Sequence, residues 1–122
     1  MLFPILTIID SSADGGAFQA STITSATISD SVTSIGDSAF GNCTGLTTVT
    51  IGTGITSIGD TAFADSNRSL ASVTVRATTP PNLGGGAFND TASNFVIYVP
   101  AASVNTYKFE WDEYALLIQA IS

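Results

Sequence analysis

The chain has 122 residues and a mass of 12.5 kDa, enough for one domain, and ten acidic against three basic residues give it a formal net charge of −7. This acidity excludes the basic surfaces that binding to nucleic acids or to anionic membranes requires. The chain has no histidine, which is the commonest general base and the commonest metal ligand. Its single cysteine cannot form an internal disulfide. We therefore expect no enzyme, no metal and no cofactor.

A short apolar segment, residues 1–12, opens the chain. It is too short to span a bilayer, and it lacks the basic start and the small-residue cleavage site of a signal peptide. We therefore expect no membrane insertion and no leader. The segment is predicted to be a strand that covers one end of the fold, or an arm that docks on another chain. Its candidate interface residues are Leu2, Phe3, Ile5, Leu6, Ile8 and Ile9.

A repeat of 23 residues organises the middle of the chain, residues 13–99. Residues 34–40 (SIGDSAF) recur as residues 57–63 (SIGDTAF), and looser copies end at Phe18 and Phe88. Each copy is followed by alternating apolar and polar residues, the pattern of a half-buried strand. These strands are predicted at residues 23–28, 46–51, 70–75 and 95–99. One strand and one turn per repeat predict a solenoid whose coils pair their strands in parallel.

The alternation also predicts which side chains face the core. Stacking the strands gives two apolar columns, one of Ile28, Ile51, Val75 and Val99 and one of Ala26, Val49, Val73 and Ile97. Three residues are predicted to point inward from the opposite wall, namely Ile35, Ile58 and Leu83. Phenylalanines 18, 40, 63 and 88 are predicted to fill the centre. Each coil is predicted to bend at a glycine, because the bend needs either a positive φ or a close approach of two backbone segments. These glycines are Gly36, Gly59 and Gly84.

Residues 32–51 (VTSIGDSAFGNCTGLTTVTI) resemble the BspA-type leucine-rich repeat, whose pattern reads I-G-x-x-A-F-x-x-C-x-x-L-x-x-V-x-I. The tail from residue 96 to residue 115 is similar to the C-terminal caps of such arrays in Bacteroidetes. The resemblance implies a leucine-rich-repeat solenoid of about four coils, with a parallel β-sheet face, little helix and a short helical cap at residues 100–122. It also implies a place on a bacterial surface and a role in adhesion.

Two short helical segments are predicted after the last strand. Pro100 closes that strand, and Ser103 or the alanines before it begin the first segment. Trp111, Tyr114, Ala115 and Ile118 recur at helical spacing, which predicts a second helical turn or two over residues 111–118. A solenoid end exposes apolar core and an unpaired strand edge, so this aromatic segment is predicted to cap it.

The outer side of the strands is the candidate binding face. Its hydroxyl groups are predicted to form two columns with a step of about 4.8 Å. The candidate residues are Ser25, Thr27, Thr48, Thr50, Ser72, Thr74, Arg76 and Tyr98. Flat threonine arrays resemble the ice-binding faces of antifreeze solenoids, so ice binding is a remote alternative. Val96 and Tyr98, in the fourth rank, are predicted to break the columns.

Other polar and aromatic groups have simpler explanations. Asp37 and Asp60, one coil apart, are predicted to cap turns, with a bound cation as the alternative. Cys43 is predicted to be structural, because no histidine is present to activate its thiol. The aromatic residues Tyr98, Tyr107, Phe109, Trp111 and Tyr114 are predicted to form the core of the cap, with a sugar-stacking platform as the alternative.

Two functions from different classes are open at this point. The first is a non-enzymatic protein- or glycan-binding module of adhesion type on the cell surface, whose partner is a protein or glycan on a host or neighbouring cell. The second is a self-assembling structural subunit of a phage or surface appendage, which forms a homo-oligomer through its N-terminal arm. The family resemblance favours the first, and a chain that starts at Met without a visible leader favours the second.

Overall fold

Short parallel strands dominate the computed structural model, which describes residues 5–8, 12–13, 24–41, 43, 45–64, 69–89 and 91–121. In chain order the strands are β1 (Ile5–Ile8), β2 (Ser12–Ala13), β3 (Ser25–Ile28), β4 (Ser34–Ile35), β5 (Thr48–Ile51), β6 (Ser57–Ile58), β7 (Ser72–Val75), β8 (Asn82–Leu83), β9 (Val96–Val99) and β10 (Ile118–Ala120). Among the residues described, one α-helix, α1, spans Val104–Glu110, and two 3₁₀ helices span Ala101–Ser103 and Asp112–Leu117.

Six of the strands form one parallel sheet in the order β1-β3-β5-β7-β9-β10. Val49 of β5 pairs with Ala26 on one side and with Val73 on the other. Each strand therefore lies in register with the equivalent strand of the next coil, which confirms the solenoid and its apolar columns. β1 pairs in parallel with β3, with Ile5 opposite Ser25. The N-terminal segment thus supplies a strand at one end of the sheet, and its docking on another chain stays a prediction.

A second parallel sheet, with the order β2-β4-β6-β8, forms the opposite wall of the coils. Ile35 pairs with Ile58, and Ile58 pairs with Leu83. The two isoleucines are almost fully buried and Leu83 is half-buried. The inward direction predicted for this column is confirmed.

Stacked phenylalanine rings run through the core. The ring centroids of Phe40 and Phe63 lie 5.0 Å apart with an interplanar angle of 7°, and those of Phe63 and Phe88 lie 5.6 Å apart at 10°. These distances follow the separation of neighbouring strands, about 4.8 Å, so each coil places one ring on the next. Phe18, predicted to continue the column, lies outside the described residues.

The close backbone approach and the positive φ occur at two different positions of the bend in each coil. The glycine column is a place of close approach, since a Cβ added to Gly84 would lie 2.5 Å from Oδ1 of Asp60. The positive φ occurs two residues later, at Ser38 (55°), Thr61 (50°) and Gly86 (65°). Of the two explanations that the sequence left open for the glycines, close approach is therefore the right one at Gly84.

The C-terminal cap is attached by hydrogen bonds to the irregular segment at residues 77–81. The hydroxyl of Tyr107 donates to the carbonyl of Ala77 at 2.7 Å, and the indole N–H of Trp111 donates to the carbonyl of Pro81 at 3.1 Å. Both bonds are buried. The segment that departs from the repeat is therefore where the cap is attached.

The second helical segment is shorter than predicted. The 3₁₀ helix ends at Leu117, and Ile118 begins β10, which pairs in parallel with β9. The prediction of a helical turn through Ile118 was wrong. The edge of β9 would otherwise leave its backbone groups without partners, and a strand satisfies them whereas another helical turn does not.

Alkaline pH is expected to destabilise the fold through the buried tyrosines of the cap. Burial raises the pKa of Tyr107 and, as the largest of several causes, that of Tyr114 above the usual range. A raised folded-state pKa means that the stabilising effect is complete below about pH 10, the pKa of an unfolded tyrosine, and is lost as the pH rises further. We expect the free energy of unfolding, measured with urea at neutral pH and near pH 11, to fall over this interval.

The variant Tyr107→Phe separates the two contributions of this side chain. It leaves the carbonyl of Ala77 without its donor, so the free energy of unfolding at neutral pH should fall by about 1–2 kcal/mol. Above pH 10 the variant should lose less stability than the wild type, because it has one buried hydroxyl fewer. Parallel pH curves for the two proteins would contradict this prediction.

Candidate binding face

Two columns of hydroxyl side chains lie in register on the outer side of the six-stranded sheet. In the first column Ser25 pairs with Thr48 and Thr48 with Ser72, and in the second Thr27 pairs with Thr50 and Thr50 with Thr74. All six side chains are exposed or half-buried, whereas the residues that alternate with them are buried. The sheet therefore presents a flat array of hydroxyl groups at the spacing of the strands.

Within the described part of the chain, the hydroxyl groups of these columns have no hydrogen-bond partner. Threonines just outside the columns differ, since the hydroxyl of Thr47 donates to the carbonyl of Thr24 at 3.1 Å and that of Thr56 to the carbonyl of Thr33 at 2.8 Å. The column hydroxyls are consequently free to bind water or a ligand.

The repeat is broken at one end of this face. Tyr98 stands opposite Thr74, at a position where the earlier coils have threonine, and Gln119 of β10 stands opposite Tyr98. Arg76 is exposed and continues the inside–outside alternation of β7. This is the predicted break in the columns, and ice binding stays a remote prediction.

Gln119 is the residue of this face that sequence reasoning missed. Residues 111–118 are predicted to be helical, and the three residues Ile118–Ala120 are too few to predict a strand without the edge of β9 beside them.

A shallow groove of about 470 Å³ crosses the second sheet and is lined by residues 34–37, 57–60 and 82–84, among them Asp37 and Asp60. The Oδ1 atom of Asp37 accepts the backbone N–H of Asp60, and that of Asp60 accepts the N–H of Gly85, both at 2.8 Å. In the described residues each carboxylate thus bonds to the backbone of the next coil, whereas the sequence predicted that it caps its own turn. Over the described residues, no group of three or more acidic or thiol side chains is placed to hold a metal ion.

Most of the remaining candidates belong to the core. Cys43 is fully buried, as its structural role requires. Tyr107, Trp111 and Tyr114 are at most 6% exposed, whereas Phe109 is 80% exposed. Three of the five tail aromatics are thus cap core. A sugar-stacking platform of all five is wrong, because only Tyr98 shares a face with the hydroxyl columns.

The N-terminal interface candidates are only partly described. Leu2, Phe3 and Ile9 lie outside the described residues. Ile5, Leu6 and Ile8 belong to β1, whose backbone pairs with β3.

The repeats match the family described as "BspA type Leucine rich repeat region" over residues 11–111, in six copies. This match covers most of the chain. The chain belongs to the BspA-type leucine-rich repeat family. Repeats of this family form interaction modules, usually for proteins, and are typically associated with cell surfaces.

A solved structure has a similar fold. It is a leucine-rich repeat protein from Bacteroides ovatus ATCC 8483, with a TM-score of 0.68 and 20% sequence identity, and the match covers 98% of this chain and 30% of that one. The present chain therefore spans about 30% of the length of that protein. No curated protein matches the chain significantly.

In the described part of this BspA-type chain, no helix combines the length and the apolar run needed to cross a membrane. The longest helix of the described residues, α1, has seven residues.

Proposed function

We propose that this BspA-type repeat protein is a non-enzymatic binding module of adhesion type at a cell surface, and that it contacts a protein or glycan of a host or neighbouring cell. The observation that carries the proposal is the pair of hydroxyl columns on the outer side of the sheet. Their hydroxyl groups lack intramolecular partners in the described residues and lie in register from coil to coil.

The rigidity of the array supports this function. Each strand of the face is hydrogen-bonded to its neighbours along the sheet, and threonine has a restricted χ1. Few rotamers are therefore lost when a ligand binds, so little of the binding energy is offset by ordering the side chains. Repeat solenoids commonly use such an extended surface for binding.

A carboxylate placed in the middle of the face is expected to abolish binding. In Thr50→Glu the new side chain lies between Thr27 and Thr74. A bound partner would bury this charge without a counter-charge, so affinity should fall at least about tenfold. Binding of the fluorescently labelled protein to fixed bacterial and epithelial cells is measured by flow cytometry.

The matched control is Thr106→Glu, which adds the same charge at an exposed position of α1 and should leave cell binding unchanged. Periodate treatment of the cells removes glycan ligands and trypsin removes protein ligands, so the two treatments identify the partner class. Equal binding by wild type and Thr50→Glu would contradict the proposed face.

Self-assembly into a structural subunit is the second candidate function, and the ends of the sheet favour it. β1 and β10 are the two edge strands of one parallel sheet, so the edge of one copy fits the opposite edge of another, head to tail. Leu116 and Ile121, which flank β10 in the sequence, are 99% and 38% exposed. Light scattering decides between the functions: a constant monomer mass supports the binding module, and a mass that grows with concentration supports assembly.

A further inference from the structure

We infer that Arg76, Tyr98 and Gln119 form a subsite for a carboxylated sugar, such as a uronic acid unit of a glycan. The inference rests on the proposed function, because it assigns a ligand class to one end of the binding face.

The first argument is the position of the break in the repeat. Outward side chains of a solenoid do not pack in its core, so their identity is not determined by the stacking of the coils. Tyr98 replaces the threonine of the second column, and Gln119 continues that column into β10. Arg76 follows directly after β7, two residues beyond Thr74, which pairs with Tyr98. Such a diagonal separation is about 7–8 Å and within reach of a long side chain. The exposed departures from the repeat are therefore clustered.

The second argument is the charge of the subsite. The described outward positions of the six-stranded sheet carry no charged residue, and Arg76 follows directly after β7 at the next outward position. In the described residues its guanidinium has no carboxylate partner, although the chain carries ten acidic residues. Asp37 and Asp60 are engaged in the turns of the opposite wall. A guanidinium group binds a carboxylate through two parallel hydrogen bonds, so it fits a ligand carboxylate.

The third argument is the chemistry of the two other side chains. Tyr98 is half-buried in the sheet and presents an aromatic ring with a polar tip, which suits the apolar side of a sugar ring next to its hydroxyl groups. Gln119 is exposed and its amide both donates and accepts hydrogen bonds, as sugar hydroxyls require. Neither side chain has a hydrogen-bond partner among the described residues.

The size of the face favours a sugar over a protein surface at this end. Strands about 4.8 Å apart and about four residues long give the sheet a face of roughly 300–400 Å². A standard protein–protein interface needs about 800 Å² from each partner. Among the described residues, the exposed large apolar side chains are Phe109, Leu116 and Ile121, of which the first two belong to the cap rather than to the face. A short oligosaccharide fits the available area.

The test compares two ligands that share one sugar backbone and differ at their carboxyl groups. The first is a trimer of α-1,4-linked galacturonate, and the second is the methyl ester of the same trimer. Binding to the full chain is measured by titration calorimetry, and backbone amide shifts in the NMR spectrum locate the site. We expect the free acid to bind at the amides of β7, β9 and β10. The ester should bind about ten- to a hundredfold more weakly, because it cannot form a charge-assisted bond with Arg76.

Three variants test the residues. Arg76→Gln should lower affinity for the free acid to that for the ester, and Tyr98→Thr, which restores the residue of the repeat, should lower affinity at least about tenfold. The matched control is Lys108→Gln, which removes an exposed cation from α1 and should change affinity less than about twofold. Circular dichroism checks that each variant is folded.

The inference is overturned if the acid and the ester bind equally, if the shifted amides lie elsewhere, or if Arg76→Gln binds as wild type. It is also overturned if an oligoglutamate peptide binds the same amides as tightly as the trimer, since a carboxylate alone would then suffice. A failure of this kind is distinguishable from failure of the proposed function, because Thr50→Glu tests cell binding by the face independently of any uronic acid.

Discussion

Replacing Phe63 with alanine is expected to lower the free energy of unfolding by about 3–5 kcal/mol. Its ring is fully buried and is stacked between Phe40 and Phe88. Alanine would leave a cavity that the coils above and below cannot close, because the strands on both walls hold the coils at a constant spacing. Urea denaturation followed by circular dichroism measures the loss, and the melting temperature should fall by at least about 10 °C.

The matched control is Phe109→Ala. Phe109 is 80% exposed on the cap, so its removal should change stability by less than about 0.5 kcal/mol. A loss below about 1 kcal/mol for Phe63→Ala would mean that the coils approach one another to fill the cavity, and would contradict the rigid stack.

Three adjacent glycines are expected to respond differently to alanine substitution. Gly84→Ala should lower the free energy of unfolding by about 2–4 kcal/mol, because the new Cβ would lie 2.5 Å from Oδ1 of Asp60 and would also collide with the backbone nitrogen of that residue. Backbone cannot yield as a flexible side chain does, so the two coils must separate locally. This separation would break the hydrogen bond from the N–H of Gly85 to Asp60.

Gly85→Ala is the control, since a Cβ at that position meets no atom within 4 Å. It should be neutral or stabilise the protein by up to about 1 kcal/mol, because alanine restricts the unfolded chain. Gly86 has a φ of +65°, so Gly86→Ala should cost about 1–2 kcal/mol, between the other two. The order is read from urea denaturation midpoints. A loss from Gly85→Ala as large as that from Gly84→Ala would contradict the close approach.

Much of the fold was predictable because its signal is local and repeated. Val49 and Ile51 alternate with threonines within one strand, and the same alternation occurs one repeat later at Val73 and Val75. A period of two within a strand and a period of 23 between strands leave few arrangements other than stacked coils. The register of β5 with β7 follows directly, and the structure confirms it.

Most residues of the candidate binding face were also predictable from the sequence. Thr48 and Thr50 follow from the alternation, and Tyr98 and Arg76 were visible as departures from the repeat. Gln119 was not, because its strand forms only against the open edge of β9. Treating Trp111, Tyr114 and Ile118 as one helical face correctly predicted that all three side chains are buried. Ile118, however, is buried as part of a strand and not of a helix.

The amino-acid sequence by itself determined the coil, its inward columns and the hydroxyl face, because each depends on the order of apolar and polar residues along one strand. Only the tertiary structure decided what closes the ends of the sheet and why the glycine column exists. Those features depend on backbone groups of different coils meeting in space: the edge of β9 pairs with Ile118–Ala120, and Gly84 lies against Asp60. The pairing of β10 with β9 leaves no periodic signal in the chain, and the recurring glycines do not by themselves show which of the two backbone requirements they meet.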